Sequence, residues 1–344
     1  MMQHKLALSR AMYSSRFWNV GLGRTLGVVD GKIISASKEH GIVARVVPTV
    51  QSCLPDEPVS CGTLAALADE WTTQGFVLQD PSSRPGVTVS LTLDIHHPVS
   101  ILPRSPLLFH SKCIKAGKSL GFCEFSISDE ATGITFAKGS HIKFLPMGAW
   151  FDVCTSKFLL PYFTFLATKT LLQPLSENPI SQPIPSVKTL FDPGECYATS
   201  RSSALSSPHC AAPAALLTTE DRPAGGGPAA GHARLHLGRA HANPVGALHG
   251  GGIALMAESV SRAVLARPLA AAGAGSAPRA LSVRLRIPRP VRVDRPGGAE
   301  VALHCELLPR HPAGGPLASR VTVEHAGALC SVAELTWSVP SPVP

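Results

Sequence analysis

One unit is written twice in this chain, and that repetition constrains the fold more than any single motif. In the first copy Ser60-Cys61-Gly62 opens the apolar-periodic run 63–79, with Leu64, Leu67, Ala68 and Trp71 in helical phase. In the second, His249-Gly250-Gly251 opens the run 253–266, with Ile253, Met256, Ala257 and Val260 in the same phases. Apolar residues at i, i+3, i+4 and i+7 predict a helix with one buried face. Each run carries an acid at the same distance from its glycine, Asp69 and Glu258, outside the main apolar stripe.

The segments after the two helices match as well. Residues 86–95 and 280–287 alternate strictly between polar and apolar, and Thr88 and Ser282 read as equivalent places. Period 2 predicts strands with one buried face. Further strands are expected at 106–115, 119–128 and 134–145, and again at 299–308, 317–325 and 328–338. A long helix followed by consecutive strands with no intervening helix is an α+β unit with an antiparallel meander, here in tandem.

The second helix start has chemistry of its own. The stretch 241–251 ends in a Gly-Gly turn opening a helix, which leaves backbone N–H groups bare where the helix dipole is positive. Such a terminus holds an anion, or polarises a carbonyl whose oxygen turns negative during reaction. A carboxylate two turns further in, Glu258, supplies the other half of a hydrolytic site. The first copy keeps this layout in degraded form. Cys61 at a helix start could be an activated nucleophile, but no histidine dyad is legible beside it, and a buried inert thiol is the plainer reading.

The residues 117–133 and 137–145, together with Asn243, Gly246, His249, Gly250 and Gly251, resemble the hotdog-fold acyl-CoA thioesterases. Within them the resemblance is to the acyl-coenzyme A thioesterase 13 and phenylacetate-pathway thioesterase group. It covers about residues 16–146 closely and 230–340 more loosely. It implies a tandem (double) hotdog, each unit a long central helix wrapped by a curved antiparallel sheet. It also implies that the oxyanion donor and the acid come from different units.

Carried over residue by residue, the resemblance implies two unequal composite sites. The first joins Asn243, His249 and Gly250 of the second unit to Asp69 and Thr88 of the first. The second would set Leu54, Ser60, Cys61 and Gly62 against Glu258 and Ser282, and reads as decayed or merely binding. Gly251, Lys143, Arg284 and Arg286 are expected to bind substrate, the basic residues meeting coenzyme A phosphates. The alternative for those three is that of solvated edge charges, which keep strands from pairing. Asp69, Glu258, Thr88 and Ser282 each have a plain structural reading as surface or strand residues, and His249 could act only by fixing the turn.

A net charge of +8 and a pI near 9.1 suit an acidic ligand such as coenzyme A. With no aromatic-interleaved basic module, nucleic acid is a poor second. The nine cysteines form no Cys-x-x-Cys pair, which argues against a zinc site and a disulfide framework. No metal or redox cofactor is implied, coenzyme A being part of the substrate.

The expected division is 1–12 as spare chain or targeting segment, 13–146 as the first unit, 147–230 as an apolar segment and flexible linker, and 231–340 as the second unit. Every lysine lies at or before Lys188, and the chain beyond it uses only arginine as its basic residue besides histidine. The first 29 residues carry Lys5, Arg10, Arg16 and Arg24 and no acid, which fits a mitochondrial presequence as well as a leading amphipathic helix. Mitochondrial and cytoplasmic locations both stay open. The apolar segment 158–172, interrupted by Pro161 and Lys169, is too short for a stable membrane span.

The leading activity is hydrolysis of acyl-CoA thioesters to free acid and coenzyme A. A non-catalytic acyl-CoA-binding protein and a hotdog enoyl-CoA hydratase or dehydratase are the alternatives, the latter disfavoured because neither helix carries a histidine. The units are expected to pair within the chain or as a homodimer.

Overall fold

A computed structural model describes residues 31–49, 58–97, 101–102, 104–145, 159–166, 216–218, 230–243, 246–271, 278–309 and 316–338, with isolated positions before and between them. The Leu54 position, most of residues 1–12 and nearly all of the expected linker lie outside these.

The strands are β1 (Lys32–Ser37), β2 (Gly41–Val46), β3 (Val87–Ile95), β4 (Leu107–Ala116), β5 (Leu120–Asp129) and β6 (Thr135–Phe144) in the first unit. The second has β7 (Leu216–Thr218), β8 (Ala230–Leu237), β9 (Arg279–Arg286), β10 (Ala299–Leu308), β11 (Leu317–His325) and β12 (Ala328–Ser338). The helices are α1 (Cys61–Gln79), α2 (Leu160–Leu166) and α3 (Gly250–Ala271). All strands join one antiparallel 12-stranded sheet in the order β1-β2-β4-β5-β6-β3-β9-β12-β11-β10-β8-β7. The order is nearly the same read from either end, as a duplicated unit requires, and the halves meet where β3 pairs β9.

The predicted strands stand within about a residue of their expected ends. β1, β2 and β8 were not expected, and β7 falls inside the expected linker. No described helix is long and apolar enough to cross a membrane.

The helices depart from the one-buried-face expectation. In α1 every residue from Cys61 to Leu78 is buried, because α3 packs on it from one side, the sheet from another, and Leu22 and Leu26 also join the core. Its polar residues are therefore satisfied locally. Thr72 Oγ1 donates to the Ala68 carbonyl at 2.6 Å, Thr73 Oγ1 to that of Asp69 at 2.6 Å, and Thr63 Oγ1 to that of Ser52 at 2.7 Å. Ser60 caps the helix, its Oγ accepting the Thr63 N–H at 3.1 Å.

The two helices cross at their glycines. A Cβ on Gly251 would stand 2.4 Å from the Ala66 Cα, and one on Gly62 3.1 Å from the Leu255 Cα. Only hydrogen fits at the first of these positions, so the backbone of α3 lies directly on α1. Gly251→Ala is expected to lower unfolding stability by about 1–3 kcal/mol through overpacking. Gly238→Ala, which would meet nothing within 4 Å, should leave it nearly unchanged. Denaturant melts of the two variants check this; equal stabilities would mean that the crossing is looser than described.

Candidate active site

The helix crossing brings the first composite set together. The Asp69 carboxylate, from the middle of α1, is buried against the start of α3. Its Oδ2 accepts the Gly251 N–H at 3.0 Å and lies 3.2 Å from His249 Nδ1. Its Oδ1 accepts from Thr88 Oγ1 at 2.7 Å and from Lys143 Nζ at 3.2 Å, and stands 3.5 Å from His141 Nε2. One carboxylate on α1 thus collects groups from the start of α3, from β3 and from β6.

Thr88 reaches this site because β3 is irregular. The register against β6 shifts between Thr88 and Ser90, so the intervening Val89 is bulged. Simple alternation would turn Thr88 outward with Thr92 and Asp94, while Leu91 and Leu93 face the core. The bulge re-aims it inward. Asn243 sits further back: its Oδ1 accepts the Ala247 N–H at 3.0 Å and closes the turn that leads into α3. Gly246, at φ +80°, completes that turn.

His249 has two neighbours of opposite charge. Its Nε2 is 2.7 Å from Glu70 Oε1, and its Nδ1 faces Asp69 Oδ2 and lies 3.0 Å from the Gly251 nitrogen. As a cation it donates to both carboxylates and ties the second unit to the first; only as a neutral imidazole with Nδ1 unprotonated does it accept the Gly251 N–H and cap α3. Gly250 is where the mouth is tightest. A Cβ there would stand 2.8 Å from Asp69 Oδ2 and 2.9 Å from the Thr88 side chain. The Gly250 N–H has no acceptor among the described residues.

Burial alone would raise the Asp69 pKa. The Lys143 ammonium, then His249, His141 and the Thr88 hydroxyl outweigh it and hold the carboxyl well below the usual carboxylate range. For His249 burial pulls downward, but Asp69 and Glu70 prevail and raise it above the ordinary imidazole value. His141 goes the other way: burial and the nearby Lys143 keep it neutral, against the pull of Asp69.

No protein-family model matches the chain, and no curated protein matches it by sequence. Solved structures do match in fold. The TesB protein of Mycobacterium avium subspecies paratuberculosis superposes with a TM-score of 0.52 at 11% identity, covering 93% of this chain and 100% of its own. An acyl-CoA thioesterase II from Mycobacterium marinum gives 0.50 at 9% identity, covering 93% and 99%. The chain is a double hotdog.

The second mouth of this double hotdog repeats the backbone contact but not the polar set around the acid. Glu258 Oε2 accepts the Gly62 N–H at 2.6 Å, as Asp69 accepts that of Gly251. Its other oxygen takes a cation from its own helix, Arg262, at 3.2 Å. Ser282 does not join it: its hydroxyl pairs with Thr336 Oγ1 on the neighbouring strand at 2.5 Å. The equivalence of Ser282 with Thr88 fails because β9 carries the matching bulge at Leu281, between the partners of Trp337 and Thr336. Aligned on these bulges, Thr88, His141 and Lys143 fall opposite Ala280, Leu335 and Trp337. Cys61 is fully buried, and burial together with Glu258 and Asp94 pushes its thiol well up, so it is no activated nucleophile.

Lys143 is a correction as well. It is 2% exposed and paired with Asp69, so it is not a solvent-facing partner for phosphates. Arg284 and Arg286 are exposed on the sheet face away from the helices, on a strand paired on both sides; they are not edge charges, and they stand apart from the Asp69 cluster. Sequence reasoning missed His141 and Glu70. The signal for His141 was its phase: it sits with Lys143 on the inward face of β6, where alternation calls for apolar residues.

Glu70→Gln is expected to lower the His249 pKa, since it removes one of the two carboxylates that raise it. The group's folded pKa lies above its unfolded one, so its contribution is fully present below about pH 6.5 and is lost as pH rises through the folded pKa. The stability gap between wild type and Glu70→Gln should accordingly be largest in mild acid and shrink at alkaline pH. Urea melts across that range test it; a gap that grows with pH would contradict the charge assignment.

Proposed function

We propose that the protein hydrolyses acyl-CoA thioesters at the composite site around Asp69. The observation that carries this reading is the convergence at one buried carboxylate of the α3 mouth from one unit and Thr88 from the other. A thioester carbonyl is already electrophilic, so hydrolysis needs only a donor for the developing oxyanion and an anion that orients water. The Gly250 N–H, at a helix start where dipole and donor act together, fits the first role. Asp69 fits the second, with Thr88 holding one of its oxygens in place.

In this scheme water adds to the carbonyl carbon as Asp69 takes its proton. The tetrahedral oxyanion is met by Gly250. The C–S bond then breaks, and the sulfur leaves as the coenzyme A thiol with that proton. The two sites are unequal: the Glu258 mouth lacks counterparts for Thr88, His141 and Lys143, and carries Cys61 in place of Gly250. Fold likeness to two thioesterases and the sequence resemblance to the acyl-coenzyme A thioesterase 13 and phenylacetate-pathway group support the substrate class.

The hydratase reading gains one observation, the two imidazoles beside Asp69. It is separated by following free thiol and enoyl absorbance together: hydration consumes the enoyl group without releasing thiol.

Purified protein assayed for thiol release with butyryl-, lauroyl- and phenylacetyl-CoA tests the proposal. Asp69→Asn should cut turnover by about 10²–10⁴-fold, and Glu258→Gln by far less. Gly250→Ala should lower kcat/KM, because its methyl meets the Asp69 and Thr88 side chains, whereas Cys61→Ala should stay within a few-fold of wild type. Equal losses at Asp69 and Glu258 would mean that both mouths, or neither, do the chemistry.

A further inference from the structure

A buried lysine is an unusual neighbour for a carboxylate that has to work on water. Lys143 extends from the inward face of β6, is almost wholly buried, and has Asp69 as its only ion-pair partner among the described residues. An isolated ammonium in such a place would shed its proton or stay outside. From this geometry, and resting on the hydrolytic reading above, we propose that Lys143 is a positioning residue: it holds Asp69 ionised with Oδ2 turned to the α3 mouth, and so sets the lowest pH at which the site works.

The arrangement of charges supports this role. The groups facing Asp69 are Lys143 and His141 from β6, Thr88 from β3, and His249 and the Gly251 N–H from α3; Glu70 stands next in sequence and faces His249. Of the three that can be cationic, His141 is held neutral and His249 is shared with Glu70. Lys143 is thus the cation that, among the described residues, pairs with Asp69 alone. It binds Oδ1, the same oxygen that takes the Thr88 hydroxyl, and that leaves Oδ2 to the glycine mouth.

The second mouth provides an internal comparison. Trp337 occupies the place of Lys143, and its indole N–H goes to Ser319 Oγ at 2.9 Å. Glu258 receives its cation instead from Arg262 on the same helix, a partly exposed side chain. The buried cation is present only where the polar set around the acid is complete.

The test compares wild type, Lys143→Met and Lys138→Met, the last an exposed lysine on the same strand. Two readouts are taken: the pH profile of kcat/KM for thiol release from butyryl-CoA, and the carboxyl carbon titration of Asp69 by NMR in protein labelled with ¹³C-aspartate. In Lys143→Met the Asp69 titration should move up by about 1–3 pH units. The acid limb of activity should move with it, while the rate at alkaline pH, where the carboxylate ionises unaided, stays much nearer wild type. Lys138→Met should move neither.

An unchanged Asp69 titration overturns the proposal, as does a uniform loss of activity with the acid limb in place, which would mark Lys143 as merely structural. If wild type releases no thiol from any thioester, the hydrolytic reading fails, and the NMR titration still decides whether Lys143 fixes the ionisation of Asp69. Should Lys143→Met fail to fold, the double variant Lys143→Met/Asp69→Asn decides. Removing both charges should restore folding if they are coupled, and a double variant no more stable than the single one would refute the coupling.

Discussion

The structure depends on the contact between the two long helices at their glycines. Gly251 lies so close to Ala66 that no side chain fits between them. That closeness places the first N–H groups of one helix within reach of a carboxylate in the middle of the other. The contact is made twice, Gly251 to Asp69 and Gly62 to Glu258, because the chain is a tandem copy. The 12-stranded sheet keeps the crossing in place, since β3 and β9 join the two halves by backbone hydrogen bonds. Fold and site are therefore one arrangement.

Burying so much charge at the crossing is costly unless every group has a partner. The solution is an alternating row: Lys143, Asp69, His249 and Glu70, positive against negative across the boundary between the units. This row raises His249 and holds Asp69 down, so each ionised group stabilises the next. It also links stability to the proposed chemistry. A change at Asp69 strands Lys143 and His249 at once, and a loss of activity there has to be read beside a melt.

Much of this was legible in the sequence. Helical phase and period-2 alternation located α1, α3 and eight strands, because those segments bury regular apolar faces. The matched spacing of glycine and acid marked two equivalent helix starts, and it was the resemblance to the hotdog thioesterases that implied sites shared between the units. The failures have physical causes. β8, with Gly231, Ala233, Leu235 and Leu237 inward and His232, Arg234 and His236 between them, has no β-branched residue and adjoins a stretch rich in alanine and glycine. Ser282 was mistaken for the counterpart of Thr88 because a one-residue bulge reverses which face a side chain takes, and a bulge leaves no mark in simple alternation. Lys143 was read as a surface charge because lysines are rarely buried, and only the neighbouring carboxylate reverses that rule.

The duplicated halves agree at the helix crossing and differ in the polar groups around the acid. Glycine at the crossing and the acid behind it survive in both; Thr88, His141 and Lys143 have Ala280, Leu335 and Trp337 as counterparts. The two mouths therefore differ in their polar surroundings within one molecule, and the proposed hydrolysis is assigned to the Asp69 mouth. The most direct test is a crystal structure with a hydrolysis-resistant acyl-CoA analogue that keeps its carbonyl oxygen. That oxygen is expected within hydrogen-bonding distance of the Gly250 N–H, with Asp69 beside the carbonyl carbon. An analogue bound with its carbonyl at the Cys61–Glu258 mouth alone would contradict this assignment.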